Sequence, residues 1–158
     1  MPKKTYTQIN TVTLAASSSS VRFSSIPQNF RDIILVVDGT ATLPTNINVR
    51  FNSDSGNNYS YVYAWGNGSA AQAAAATLSN ISQLGLGPSQ GNSSLQVMDY
   101  SVTDKHKTCL VRANLASNSV QMAAERWANT SAITTLELFP AQGVINPGTT
   151  FALYGIEA

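Results

Sequence analysis

Charge is what this sequence has least of. Asp, Glu, Lys and Arg make up 11% of its 158 residues, where an average soluble protein carries about a quarter. Nine basic and eight acidic side chains leave a net charge of +1, so the chain builds no field for nucleic acid or for an acidic substrate. Cys109 is the single cysteine, which excludes an intrachain disulfide and a thiolate metal cage. His106 is the single histidine, and no His-x-x-His or Glu-x-x-His spacing supplies zinc ligands. No apolar run approaches the roughly 20 residues of a membrane helix. No period of about 20–50 residues repeats, as a propeller or solenoid requires. Lys3 and Lys4 have no apolar stretch behind them, so the N-terminus does not read as a secretory leader. The Asn-x-Ser/Thr triplets at Asn58, Asn67, Asn80, Asn92 and Asn129 accordingly read as unmodified.

Ser, Thr and Asn take the place of charge. With 43% hydrophobic residues the chain is too apolar to stay disordered, and its length suits one domain with a real core. Its periodicity is that of strands. Ile47, Val49 and Phe51 alternate with Asn48, Arg50 and Asn52, the pattern of a half-buried strand. Asp32–Gly39 is a continuous β-branched run closed by Asp-Gly, which reads as a strand buried on both faces. Further strand signals lie at residues 8–15, 21–24, 59–65, 95–100, 108–113, 120–127, 133–139 and 150–156. Residues 66–93, with Ala70–Ala76 and Gly85-Leu86-Gly87-Pro88, read as an excursion with room for one short helical turn. About eight to ten short strands punctuated by Gly, Asn, Ser and Pro predict an all-β fold: a single antiparallel β-sandwich, jelly-roll-like. Residues 1–7 form a short N-terminal arm and residues 8–158 the sandwich domain.

Chemistry is sparse. His106, in Asp104-Lys105-His106-Lys107, would be a general base only if Asp104 or Asp99 oriented it beside a serine; a solvated hairpin tip explains it as well. A pair of glycosidase carboxylates would have to come from Asp54, Asp99, Glu125 and Glu137. Glu125 abuts Arg126 and Glu137 lies between Leu136 and Leu138, so salt bridges or outward strand positions account for both. Calcium at Asp54 with Asn52, Asn57 and Asn58 would have one carboxylate, a weak site. Gly85-x-Gly87 lacks the strand–helix context and acidic partner of a dinucleotide fingerprint. The expectation is therefore no catalytic residue, no metal and no cofactor.

Tyr59, Tyr61, Tyr63 and Trp65 are more informative. Alternate strand positions share a face, so four rings stand in a row. Such a row is a core-facing strand, a stacking platform for sugar rings, or an anchor for a protein partner. Ala70–Ala76 beside it is apolar and small enough to pack against a neighbouring subunit. Lys3, Lys4 and Tyr6 make the N-terminal arm a candidate strap onto an adjacent copy, although a terminus of this kind more often frays.

Several segments together resemble one family. They are Met1-Pro2 with Thr5-Tyr6, Val21-Arg22-Phe23-Ser24-Ser25-Ile26-Pro27-Gln28, Asp32–Val36, Val49-Arg50-Phe51-Asn52 with Asn58-Tyr59-Ser60, and Asp99-Tyr100 with Lys107. Trp127–Thr134 and Gly148–Ile156 complete the series. In this order, from end to end, they resemble a widespread group of small virion proteins of tailed phages, most weakly over residues 66–93. The resemblance implies a structural component of the particle, made in the host cytoplasm, with no catalytic residue to carry over. The leading expectation is a capsid decoration or cement protein, a homotrimer on the capsid surface that binds the major capsid protein, with no nucleic-acid or membrane partner. The alternative is a tail- or fibre-associated receptor-binding module that recognises surface carbohydrate through the Tyr59–Trp65 row. A third reading, a hydrolase of host polysaccharide, would need Asp54, Asp99 or Glu125.

Overall fold

The computed structural model describes residues 4–116 and 119–157, and among these every regular element is a strand. In chain order they are β1 (Tyr6–Thr13), β2 (Val21–Phe23), β3 (Asp32–Gly39), β4 (Thr45–Phe51), β5 (Tyr59–Gly66) and β6 (Ala71–Leu78). Then come β7 (Ile81–Leu86), β8 (Gly91–Met98), β9 (Lys107–Leu115), β10 (Ser119–Trp127), β11 (Leu136–Pro140) and β12 (Thr150–Ile156). Eight of them form one sheet in the order β1-β12-β3-β8-β9-β10-β5-β6, and four form a second, β2-β11-β4-β7. All pairings are antiparallel, and the two sheets make a jelly-roll-like sandwich.

Alternation builds the core. Leu95 and Val97 on β8, Cys109 and Val111 on β9, and Ala123 and Trp127 on β10 are buried toward the second sheet. Ile47, Val49 and Phe51 meet them from β4, with Leu136 and Leu138 from β11. The polar positions between them turn outward, as one-sided burial requires. Gly155 on β12 lies under the Phe30 ring, where an added Cβ would come within 2.3 Å of the ring carbons.

Four sequence readings change. Residues 66–93 contain no helical turn: they hold β6, β7 and the start of β8. Alanine has low strand propensity, so β6 gives no β signal of its own; its pairing with β5 imposes the conformation. The arm is shorter than residues 1–7, because Tyr6 and Thr7 already pair with Ile156 and Gly155; Met1–Lys3 lie outside the described residues. In β3, Ile33, Leu35 and Val37 are buried, but Ile34 and Val36 are only half-buried on the open outer face. The strand expected over 133–139 starts at Leu136. Ahead of it, the Asn52 side chain takes the N–H groups of Thr134 and Thr135 at 2.9 and 3.2 Å and donates to the Ala132 carbonyl.

Candidate interaction surface

The four aromatic residues share one side of β5 but divide in environment. Tyr59 is core: it stacks on Trp127 at 6.2 Å and 21°. Its hydroxyl accepts from the Phe51 N–H and donates to the Asp54 carbonyl, both at 3.1 Å, and burial pushes its pKa up. Tyr61, Tyr63 and Trp65 are half-buried, with the rings of Tyr61 and Tyr63 5.6 Å apart. The division follows from the second sheet, whose edge strand β7 packs on β8, β9, β10 and the near side of β5. Beside the three outer rings, in register on β6, stand Ala76, Ala74 and Gln72.

The opposite side of the same strands is apolar and open. Val62 is 58% exposed, Val120 65%, Met122 61% and Leu110 46%. The register sets Ala75, Val62, Ala124 and Leu110 in one cross-strand row, and Ala73, Ala64, Met122 and Arg112 in the next. Between these rows lies a hollow of about 620 Å³, and Arg112 is the one charged residue in its lining. Neither β5 nor β6 carries a charged side chain. Alternation predicted the aromatic row; nothing local predicted that its reverse side would also be bare.

The other candidates are dispersed. Tyr6 is 56% exposed on the β1 edge, at the far end of the sheet from β6, so it is not joined to the aromatic row. Lys4 is exposed nearby, and Lys3 lies outside the described residues. His106 and Asp104 are exposed in the turn before β9, while Asp99 accepts from Lys105 Nζ at 3.2 Å. Glu137 sits half-buried on β11, opposite Arg22 and Arg50 in register.

Asp54 is occupied by donors rather than offered to a cation. Its carboxylate accepts from Trp127 Nε1 at 2.7 Å, Asn58 Nδ2 at 2.9 Å and the Gly56 N–H at 2.9 Å. Burial alone would raise its pKa, but these hydrogen bonds hold it below the usual carboxylate range. Three N–H groups thus point at its two oxygens, and no cluster of three or more His, Cys, Asp or Glu occurs among the described residues.

Glu125 departs from the sequence reading. It is neither outward nor salt-bridged: it is 3% exposed, between the sheets, while Arg126 points to the other side. Its oxygens accept from the Ser82 N–H at 3.0 and 3.3 Å. Ser82 is free to donate because the β4–β7 ladder slips there, with Gln83 at φ 68°. Burial pushes Glu125 up to about 8, and burial together with that acid raises the Cys109 thiol. Lys107 is also buried, its ammonium donating to the carbonyls of Val102, Lys105 and Thr130, and burial lowers its pKa. The sequence signal for it was the Lys at a core-facing position of β9, two residues before Cys109.

No protein-family model and no curated protein sequence matches the chain. Among solved structures, an exo-inulinase from Aspergillus awamori is similar over 96% of this chain, at 9% identity and a TM-score of 0.43. The chain spans 29% of that enzyme's length. A galectin from Caenorhabditis elegans is similar over 90% of this chain and 95% of its own, at 8% identity and a TM-score of 0.40. An alginate lyase from Aplysia kurodai is similar over 92% and 79%, at 10% identity and a TM-score of 0.33. These likenesses bear on neither activity nor ligand.

Proposed function

We propose that this chain is a non-enzymatic structural subunit of a tailed-phage particle, a decoration or cement protein that binds the major capsid protein. The observation that carries the assembly part of this reading is the bare apolar surface over β5, β6, β9 and β10, with Val62, Val120 and Met122 each more than half exposed, the mark of a subunit built to be covered; the contact with the major capsid protein rests on the resemblance alone. Scattered apolar residues are ordinary on a protein surface, but a contiguous patch marks an interaction site. Little charge needs desolvating when such a surface is covered, so it suits a permanent contact. The end-to-end resemblance to small virion proteins supplies the particle.

The mechanism is mechanical. A subunit that binds the assembled shell and not its dissociated parts stabilises the shell by mass action, about 2.7 kcal/mol per site at a hundredfold excess over Kd. The test is co-sedimentation of purified protein with heads that lack it, followed by heating. The expected result is saturable binding and DNA release at a higher temperature. Recovery of the protein only with tail fractions of the particle would overturn the reading.

A second reading rests on the half-exposed rings of Tyr61, Tyr63 and Trp65. Rings of this kind stack on sugars, and the alternative function is a tail or fibre module that binds surface carbohydrate. Tyr61→Ala and Trp65→Ala would then abolish binding to host cells while leaving the fold intact.

A further inference from the structure

Strands covered on both faces are apolar at nearly every position, whereas strands covered on one face alternate. β5 and β6 have the first kind of sequence, yet in the single chain they lack the cover. β6 reads Ala-Gln-Ala-Ala-Ala-Ala-Thr-Leu, and all of it from Ala71 to Thr77 is exposed. β5 turns Tyr61, Tyr63 and Trp65 to one side and Val62 and Ala64 to the other.

The sheet edges sharpen the contrast. β7 is buried along its whole length, β2 has three residues, and β1 is interrupted by a bulge between Gln8 and Asn10. Those are the usual ways an edge is kept from pairing with another chain. β6 has none of them: eight residues, no charge, no proline and an unbroken register with β5.

We propose that the β5–β6 hairpin joins copies of this chain head to tail in a closed ring. The aromatic side of one copy, Tyr61, Tyr63 and Trp65 with Ala74 and Ala76, seats on the outer side of the next, Val62, Ala64, Val120 and Met122. Three observations select another copy as the occupant. The two bare patches lie on opposite sides of one hairpin, so an isologous contact would cover one and leave the other in water, whereas a heterologous ring covers both. Neither strand has a charge that calls for an oppositely charged partner, and the most apolar interfaces are those between permanent copies. The patches also match in form and chemistry. One side carries half-exposed rings; the other is the hollow of about 620 Å³ whose lining has Arg112 as its one charge. Arg112 makes no salt bridge among the described residues, and a tyrosine ring of the next copy would give its guanidinium a cation–π partner. A heterologous ring closes with at least three copies. The contact is independent of whether the ring binds a phage head.

Sedimentation velocity and light scattering of the purified chain test it. The expected species is a closed oligomer of three or more copies, against a chain mass of 16.8 kDa. Met122→Glu on the outer side and Ala74→Glu on the aromatic side should each reduce it to monomer with an unchanged circular-dichroism spectrum. Mixed in equal amounts, the two variants retain one good patch each and should form a one-to-one dimer. Ala76→Arg substitutes for Ala74→Glu if that variant fails to fold. A monomeric or dimeric parent chain, variants that stay in the ring, or a mixture that stays monomeric would overturn the proposal. A ring that fails to bind heads would overturn the head reading alone.

Discussion

Glu125 couples the fold to pH. Its carboxyl is pushed up to about 8 in the folded chain, from an ordinary value of 4.5. The folded chain therefore holds this proton more tightly than the unfolded one, and the acid's contribution to stability is complete below about pH 4.5. It is lost as pH rises toward about 8, at up to about 1.4 kcal/mol per pH unit. Glu125→Gln keeps an oxygen for the Ser82 N–H and removes the titration. Urea midpoints measured at about pH 5 and pH 8 should converge in the variant and differ in the parent. Trp127 tests a different buried contact. Trp127→Phe keeps a ring against Phe51 and Tyr59 but removes the donor to Asp54. The expected loss is about 1.5–3 kcal/mol, the range for hydrogen bonds to a charged group, read from the same urea curves.

At the scale of elements, the second sheet decides what each strand's side chains do. Tyr59 lies beneath that sheet and Trp65 near the far end of the same strand. Tyr59→Ala should cost about 3–5 kcal/mol, and Trp65→Ala clearly less, measured as shifts in thermal midpoint. The alternation that locates the row was plain in the sequence, as it was at 47–51, where polar and apolar residues change places without interruption. The split within the row was not, because it depends on where a strand distant in sequence stops. β6 and β7 were illegible for two separate reasons. Alanine carries no β signal, and in β7 the register slips at Ser82 and Gln83, which breaks the period. Glu125 escaped for the same cause: its donor is 43 residues away and is freed by that slip. Gly155 shows the converse, a position whose smallness is explained by the Phe30 ring above it. Gly155→Ala should lower the thermal midpoint although it adds only a methyl group.

For the molecule as a whole, association and stability become one quantity if the hairpin patches are covered by further copies. The thermal midpoint should then rise with protein concentration, as for any equilibrium in which the folded form alone associates. Met122→Glu should flatten that dependence while leaving the midpoint at low concentration nearly unchanged. A scanning calorimetry series over about a hundredfold range of concentration checks both.

The strand order also sets the first and last strands side by side. Thr5 accepts a hydrogen bond from the Glu157 N–H beside the β1–β12 pair, so these two residues sit together at one corner of the eight-stranded sheet. β6 is the opposite edge, seven inter-strand steps away, about 34 Å along the sheet at about 4.8 Å per step. A peptide, dye or enzyme joined ahead of Thr5 or after Glu157 would attach at the margin remote from the hairpin. The sandwich is in that sense already laid out as a display scaffold, with the cargo attachment point and the self-assembling edge on opposite flanks.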